Sequence, residues 1–181
     1  MKLLDSISKL TNLMDDETFE HCCNVNRAAI TIYGYLEEKD SIEKEILVNS
    51  CAVLDIGKTL INEYMFRKAE SFSEIERELM NLHPYLGYKI LLENQVPDKI
   101  AEVVLFHHGR DAPHLTPIPV MTEEVSVYAK IIHTVDVFEA LRENRNRRPR
   151  YSAKEAYEKM KDNPEYHKAV TELYQNSNSG P

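Results

Sequence analysis

Apolar residues return every three or four positions along most of this chain, and where they stop a capping residue, a proline or a glycine stands. From Asp16 to about Glu37, Val25, Ala28, Ala29, Ile32, Tyr35 and Leu36 recur at the spacing of one helix face. Asp40 with Glu43 has the form of a capping box that opens a second helix towards Asp55. A third helix is predicted from Ser73 to about His83, stopping there because Pro84 disfavours helix in the residue before it. A fourth follows from Tyr85 to Asn94. Pro97 suits a first helical position, and the helix it opens runs to His108, where Gly109 terminates it. Prolines at 113, 117 and 119 make the stretch from Gly109 to Met121 a loop. Thr122 caps a long helix through Asp136 to about Glu143, with Glu123 and Glu124 in the turn where the helix dipole favours acids. The last helical region, Ser152 to about Tyr174, is interrupted at Pro164. No run alternates as a strand would, so the fold class is all-α.

Composition narrows the setting. The chain has 181 residues, 43% hydrophobic and 29% charged, enough for one core and short for two. We read residues 1–175 as a single domain and 176–181, NSNSGP, as a disordered or appended tail. A formal charge of −8 argues against general nucleic-acid binding. Cys22, Cys23 and Cys51 lack paired spacing and read as reduced thiols rather than a disulfide framework. Asp5 falls too early for a secretory leader, and the most apolar stretch, residues 46–54, is too short to span a bilayer. The expectation is a cytoplasmic protein with no membrane partner.

The chemistry sits at the helix ends. His21, His83, His107 and His108, with Asp55 and Asp136, place imidazoles and carboxylates at the ends or inner faces of apolar helices. Taken singly, each has an ordinary reading: a polar core or surface residue, or a charge complementing a helix dipole. Together they would be costly to bury without a cation. A divalent metal resolves that cost, since neutral imidazole and carboxylate suit Fe, Mn or Zn.

In order, the chain presents His21, then Asp55-Ile56-Gly57-Lys58, then His83-Pro84 with Gly87, then His107-His108, then Val135-Asp136-Val137-Phe138-Glu139-Ala140-Leu141. This series resembles the HD-GYP branch of the HD-domain metal-dependent phosphohydrolases over about residues 14–174. Lys68 and Ser152 stand where that family has lysine and serine. The resemblance implies a helical bundle around a metal site and a phosphodiesterase acting on a cyclic dinucleotide such as cyclic di-GMP. By the same resemblance, His21, Asp55 and Asp136 would hold one metal. Asp55 would bridge to a second, completed by His83, His107 and His108, and Glu17 would be an extra acidic ligand. Fe or Mn is the expected metal, with Zn as the alternative. Asp55 and Lys58 would serve catalysis, Lys58 by neutralising charge on the phosphate. Arg145 and Arg148, within the tract RENRNRRPR, and Arg110 would bind substrate phosphate; guanidinium suits bidentate phosphate contact.

The pattern departs from that family at two places. Leu54 stands where the histidine of the HD pair belongs, so the first metal position is one protein ligand short. Glu17, water or a neighbour would have to compensate; the neighbour is His133, one turn before Asp136, whose other reading is a supporting or surface residue. In the loop after the histidine pair the family tripeptide falls on Leu115-Thr116-Pro117, and only the proline matches. Two function classes follow: a phosphohydrolase using metal-activated water, or a catalytically weak sensor or scaffold that binds nucleotide or a signalling protein. Within the first class, a phosphohydrolase of mononucleotides is a further possibility.

Overall fold

The computed structural model describes residues 3–37, 42–62, 65, 71–109, 118–144 and 149–178. Its described residues are helical, with turns and loops and no strand. In chain order the helices are α1 (Leu3–Thr11), α2 (Asp16–Tyr33), α3 (Lys44–Ala52), a 3-10 turn (Ile56–Leu60), α4 (Glu74–Met80), α5 (His83–Glu93), α6 (Asp98–Phe106), α7 (Glu123–Arg142), α8 (Ala153–Met160) and α9 (Val170–Asn178).

Helix α7 is the pillar of the bundle, packed against α2, α3, α6, α8 and α9. Its buried residues, among them Val125, Tyr128, Ile131, Thr134, Val135 and Phe138, point to several sides. That is what a central helix requires. Helix α2 instead buries one stripe, Thr18, His21, Cys22, Val25, Ala28, Ala29 and Ile32. His21 therefore enters the interior on an apolar face.

The capping chemistry accounts for most of the boundaries. Asp15 accepts from the Thr18 amide at 2.9 Å and starts α2. Ser73 with Glu76 and Ser152 with Glu155 close two capping boxes, at α4 and α8. Thr122 starts α7 as predicted, accepting from the Val125 amide. Gly109 ends the α6 region with φ +94°, a left-handed conformation suited to glycine.

Several boundaries differ from the sequence reading. Helix α1 was not anticipated; it buries only Ser6, Ile7 and Leu10. Helix α2 stops at Tyr33, because Gly34 and the following turn end it before Leu36. Helix α3 starts at Lys44 and ends at Ala52, so Asp55 lies beyond it, ahead of the 3-10 turn; Asp40 is outside the described residues. Pro84 does not stop a helix but lies in the first turn of α5, where its missing amide costs nothing. Helix α9 continues through Asn178, three residues into the stretch read as a tail. All three cysteines are free thiols.

The 3-10 turn carrying Gly57 and Lys58 is pressed against α5. A Cβ on Gly57 would lie 2.0 Å from the His83 carbonyl oxygen and 2.6 Å from the Gly87 amide nitrogen. Gly57 and Gly87 thus let two backbones touch where side chains would hold them apart. This contact brings the Asp55 turn up to the His83 helix.

Candidate metal centre

Four elements converge on one buried cluster: α2 with His21, the turn after α3 with Asp55, the start of α5 with His83, and the end of α6 with His107 and His108. Helix α7 adds Asp136. His21, Asp55, His83, His107 and Asp136 are all buried. Asp55 is the hub. Its Oδ1 lies 3.2 Å from His83 Nε2, and its Oδ2 lies 2.5 Å from Lys58 Nζ and 3.7 Å from His21 Nε2. His21 Nε2 also faces Asp136 Oδ1 at 2.9 Å.

The hydrogen bonds on the far side of each ring fix its proton. His83 Nδ1 donates to the Met80 carbonyl at 2.7 Å, and His107 Nδ1 to the Val104 carbonyl at 2.6 Å. A carbonyl only accepts, so in each neutral ring the proton is on Nδ1 and the Nε2 lone pair faces inward. The two Nε2 atoms are 3.3 Å apart, and one of them is 3.2 Å from a carboxylate oxygen. Acceptors facing acceptors in a buried space repel unless a cation or proton lies between them. The donor set fits a divalent metal of the kind imidazole and carboxylate bind. Ligand atoms of His83, His107 and His108 lie within 4.8 Å of one another, as do those of His108, His133 and Asp136.

Electrostatics prepares the same state. Burial alone would raise the Asp55 and Asp136 carboxyls. Lys58, and beyond it the charge on His21, outweigh it at Asp55, and His21 at Asp136, so both are held well below the usual carboxylate range. Burial, helped by the neighbouring imidazoles, pushes the His107 pKa well down. His108 stands at the exposed mouth, yet loss of solvent around its ring and the nearness of His83 bring it to about 4, against the pull of Asp136. His21 goes the other way. Burial disfavours its charge, but its bonds to Asp136 and Glu143 raise its pKa to about 10. In the metal-free chain a proton on His21 does part of a cation's work.

Glu143 is a residue that sequence reasoning missed. Its Oε1 accepts from His21 Nδ1 at 2.7 Å, orienting that ring as the carbonyls orient the other two. Its spacing from Asp136, seven residues or two helical turns, was the available signal. Leu54 is fully buried within the apolar core, so no donor stands at that position. Glu17 is exposed one turn before His21 and belongs to neither ligand group among the described residues. Arg110, Arg145 and Arg148, like Lys68 and Leu115-Thr116-Pro117, lie outside the described residues. Burial and the Asp55 charge push the Cys22 thiol well up, and burial does the same to Cys51, so both stay protonated and are poor ligands.

A helical cluster of this composition points to one class of protein, and comparison with known proteins agrees. A sequence profile described as "HD domain" matches residues 8–168, and the chain belongs to that family. The chain is 27% identical over 147 residues to the cyclic di-GMP phosphodiesterase PA4108 of Pseudomonas aeruginosa, covering 81% of this chain and 35% of that protein. It is 30% identical over 115 residues to the cyclic di-GMP phosphodiesterase response regulator RpfG of Xanthomonas campestris, covering 61% of this chain and 30% of that protein. The chain thus spans about a third of the length of these curated relatives. In fold it is similar to the HD domain of the L. monocytogenes phosphodiesterase PgpH, with a TM-score of 0.57 at 19% identity over 96% of this chain and 83% of that one. The same domain in complex with cyclic-di-AMP gives 0.54 at 20% identity, over 96% and 81% of the two chains. No helix among the described residues is long and apolar enough to cross a membrane.

Proposed function

We propose that this chain is a metal-dependent phosphodiesterase domain that hydrolyses a cyclic dinucleotide of the cyclic di-GMP kind. The observation that carries the reading is the convergence of the His83 and His107 Nε2 lone pairs on each other, with Asp55 against His83 and Lys58 against Asp55. The names of the two curated relatives support the substrate class.

His83, His107 and Asp55 would hold a divalent metal, Fe or Mn by preference, with His108 between this position and His133, and His21 and Asp136 on the other side of Asp55. A metal so bound supplies Lewis acidity and lowers the pKa of water. The protein supplies the rest. Asp55 stays ionised against burial because Lys58 flanks it. Lys58 Nζ, in the middle of the 3-10 turn, is tethered to Asp55 Oδ2, so its charge is presented beside the site to a phosphate oxygen. The carbonyls of Met80 and Val104 hold two imidazoles in the ligating tautomer. Arg110, Arg145 and Arg148 would grip substrate phosphates.

Leu54 favours a second reading. A fully buried leucine in place of a ligand suits a domain that binds nucleotide, or a signalling partner, and turns it over slowly or not at all. One experiment separates the two: purify the chain without oxygen, load Mn(II) or Fe(II), and assay cyclic di-GMP and cyclic di-AMP for binding and hydrolysis together. Metal-dependent hydrolysis supports the enzyme. Tight binding without product supports the sensor. Neither binding nor hydrolysis by metal-loaded protein removes both.

A further inference from the structure

We propose that His133 is a metal ligand of this chain, forming with His108 and Asp136 a second cation position in place of the one depleted at Leu54. The inference rests on the metal-dependent reading above and goes beyond it by assigning a ligand outside the matched motifs.

His133 and Asp136 are three residues apart on α7, so both project from one helix face. Paired ligands at this spacing are a known way for a bundle helix to hold a metal. Ligand atoms of His133, Asp136 and His108 lie within 4.8 Å of one another. Donors about 2.0–2.2 Å from one cation lie at most about 4.4 Å apart, so small side-chain adjustments bring these three onto a shared ion. The His133 ring is also held in place, stacked on Tyr166 with centroids 5.5 Å apart and planes at 28°. His108 meets it edge-on at 5.8 Å.

A second, independent observation is the state of the ring. His133 Nδ1 is buried and has no hydrogen-bond partner among the described residues. At His21, His83 and His107 a protein acceptor holds Nδ1 and so leaves Nε2 for the centre. His133 lacks such an anchor, so Nδ1 itself can carry the lone pair. A buried imidazole nitrogen left without a partner is costly, and ligation would remove that cost.

The site has an approach as well. His108 and His133 line a cleft of about 290 Å³, walled by Phe106, Met121 and Ala129 with Lys130 at its edge. A cation held here would face that cleft, while the His83–His107 position lies deeper.

The test is metal stoichiometry of the full chain, stripped and then titrated with Mn(II), with free Mn(II) counted by electron paramagnetic resonance. The parent is expected to bind two equivalents. His133→Ala and His133→Gln, checked for folding by circular dichroism, should keep the first at parental affinity and weaken the second by at least about a hundredfold. Ring-nitrogen magnetic resonance of the unsubstituted chain with Zn(II) needs no variant, and the second equivalent should shift a His133 signal. The inference is overturned if the parent saturates at one equivalent, if folded variants bind both equivalents like the parent, if they lose both, or if the His133 signals do not move. A parent that binds no metal at all would remove the metal-dependent reading itself.

Discussion

Replacing Gly57 by alanine adds one methyl group at the tightest backbone contact of the site. The new Cβ would sit 2.0 Å from the His83 carbonyl oxygen and 2.9 Å from its carbonyl carbon. Relief demands that the turn and α5 separate by roughly 1 Å or more, since neither contact atom belongs to a flexible side chain. Overpacking of this kind costs about 1–3 kcal/mol, which for a domain of this size lowers Tm by roughly 2–12 °C. The same displacement pulls His83 Nε2 away from Asp55 Oδ1, now at 3.2 Å. A misplacement near 1 Å in a catalytic constellation costs on the order of a hundredfold. Differential scanning calorimetry of metal-stripped and Mn(II)-loaded protein, with Mn(II) affinity and turnover, measures both effects. Gly34→Ala is the control, because nothing lies within 4 Å of its Cβ and its φ of −64° suits alanine. A Gly57→Ala protein that melts like the parent and binds Mn(II) as tightly would refute the idea that this backbone contact sets the site.

Four further outcomes are expected. Leu54→His should raise metal content and any phosphodiesterase activity by restoring a donor, at some cost to the stability of the metal-free chain, since it places a polar ring in a fully buried apolar spot; metal analysis and thermal melts check both. Glu143→Ala should weaken metal binding by roughly 10–100-fold without removing a ligand, because His21 loses the acceptor that orients it; unchanged Mn(II) affinity would count against that role. Arg145→Ala with Arg148→Ala should weaken cyclic dinucleotide binding at least tenfold, at about 1.5–3 kcal/mol for each charge-assisted contact, with metal content unaltered; calorimetry at low and moderate salt tests it. In the metal-free chain the His21 pKa is raised from 6.5 to about 10, so its stabilising proton is fully present below pH 6.5 and lost as pH rises to about 10. Urea unfolding with chelator present should therefore show stability falling across that window, and falling less in His21→Gln.

The sequence made the fold class and the ligand types legible because both are local. Helical spacing, the helix start at Ser73, the Thr122 cap and the Gly109 stop are carried by a few adjacent residues, and each reappears in the structure. Pro84 was misjudged because the same ring that ends one helix can open the next, and only the chain's path decides which. Glu143 was missed for a different reason. Its partner His21 is 122 residues away, and the two-turn spacing from Asp136 places Glu143 near the site without naming that partner. The close approach of Gly57 to Gly87 is equally tertiary: the glycines were visible, but their contact was not.

The anchoring of His83 and His107 has a consequence for anyone wishing to move this centre to another scaffold. Their Nδ1 protons are received by carbonyls in the last turns of α4 and α6, groups that a helix end leaves without intrahelical partners. The transferable unit is therefore a pair of helix termini with the imidazole that follows each, rather than a set of side chains. A graft of the histidines alone onto mid-helix positions would leave both rings free to choose their tautomer, and the host would have to supply new acceptors before any cation could be held.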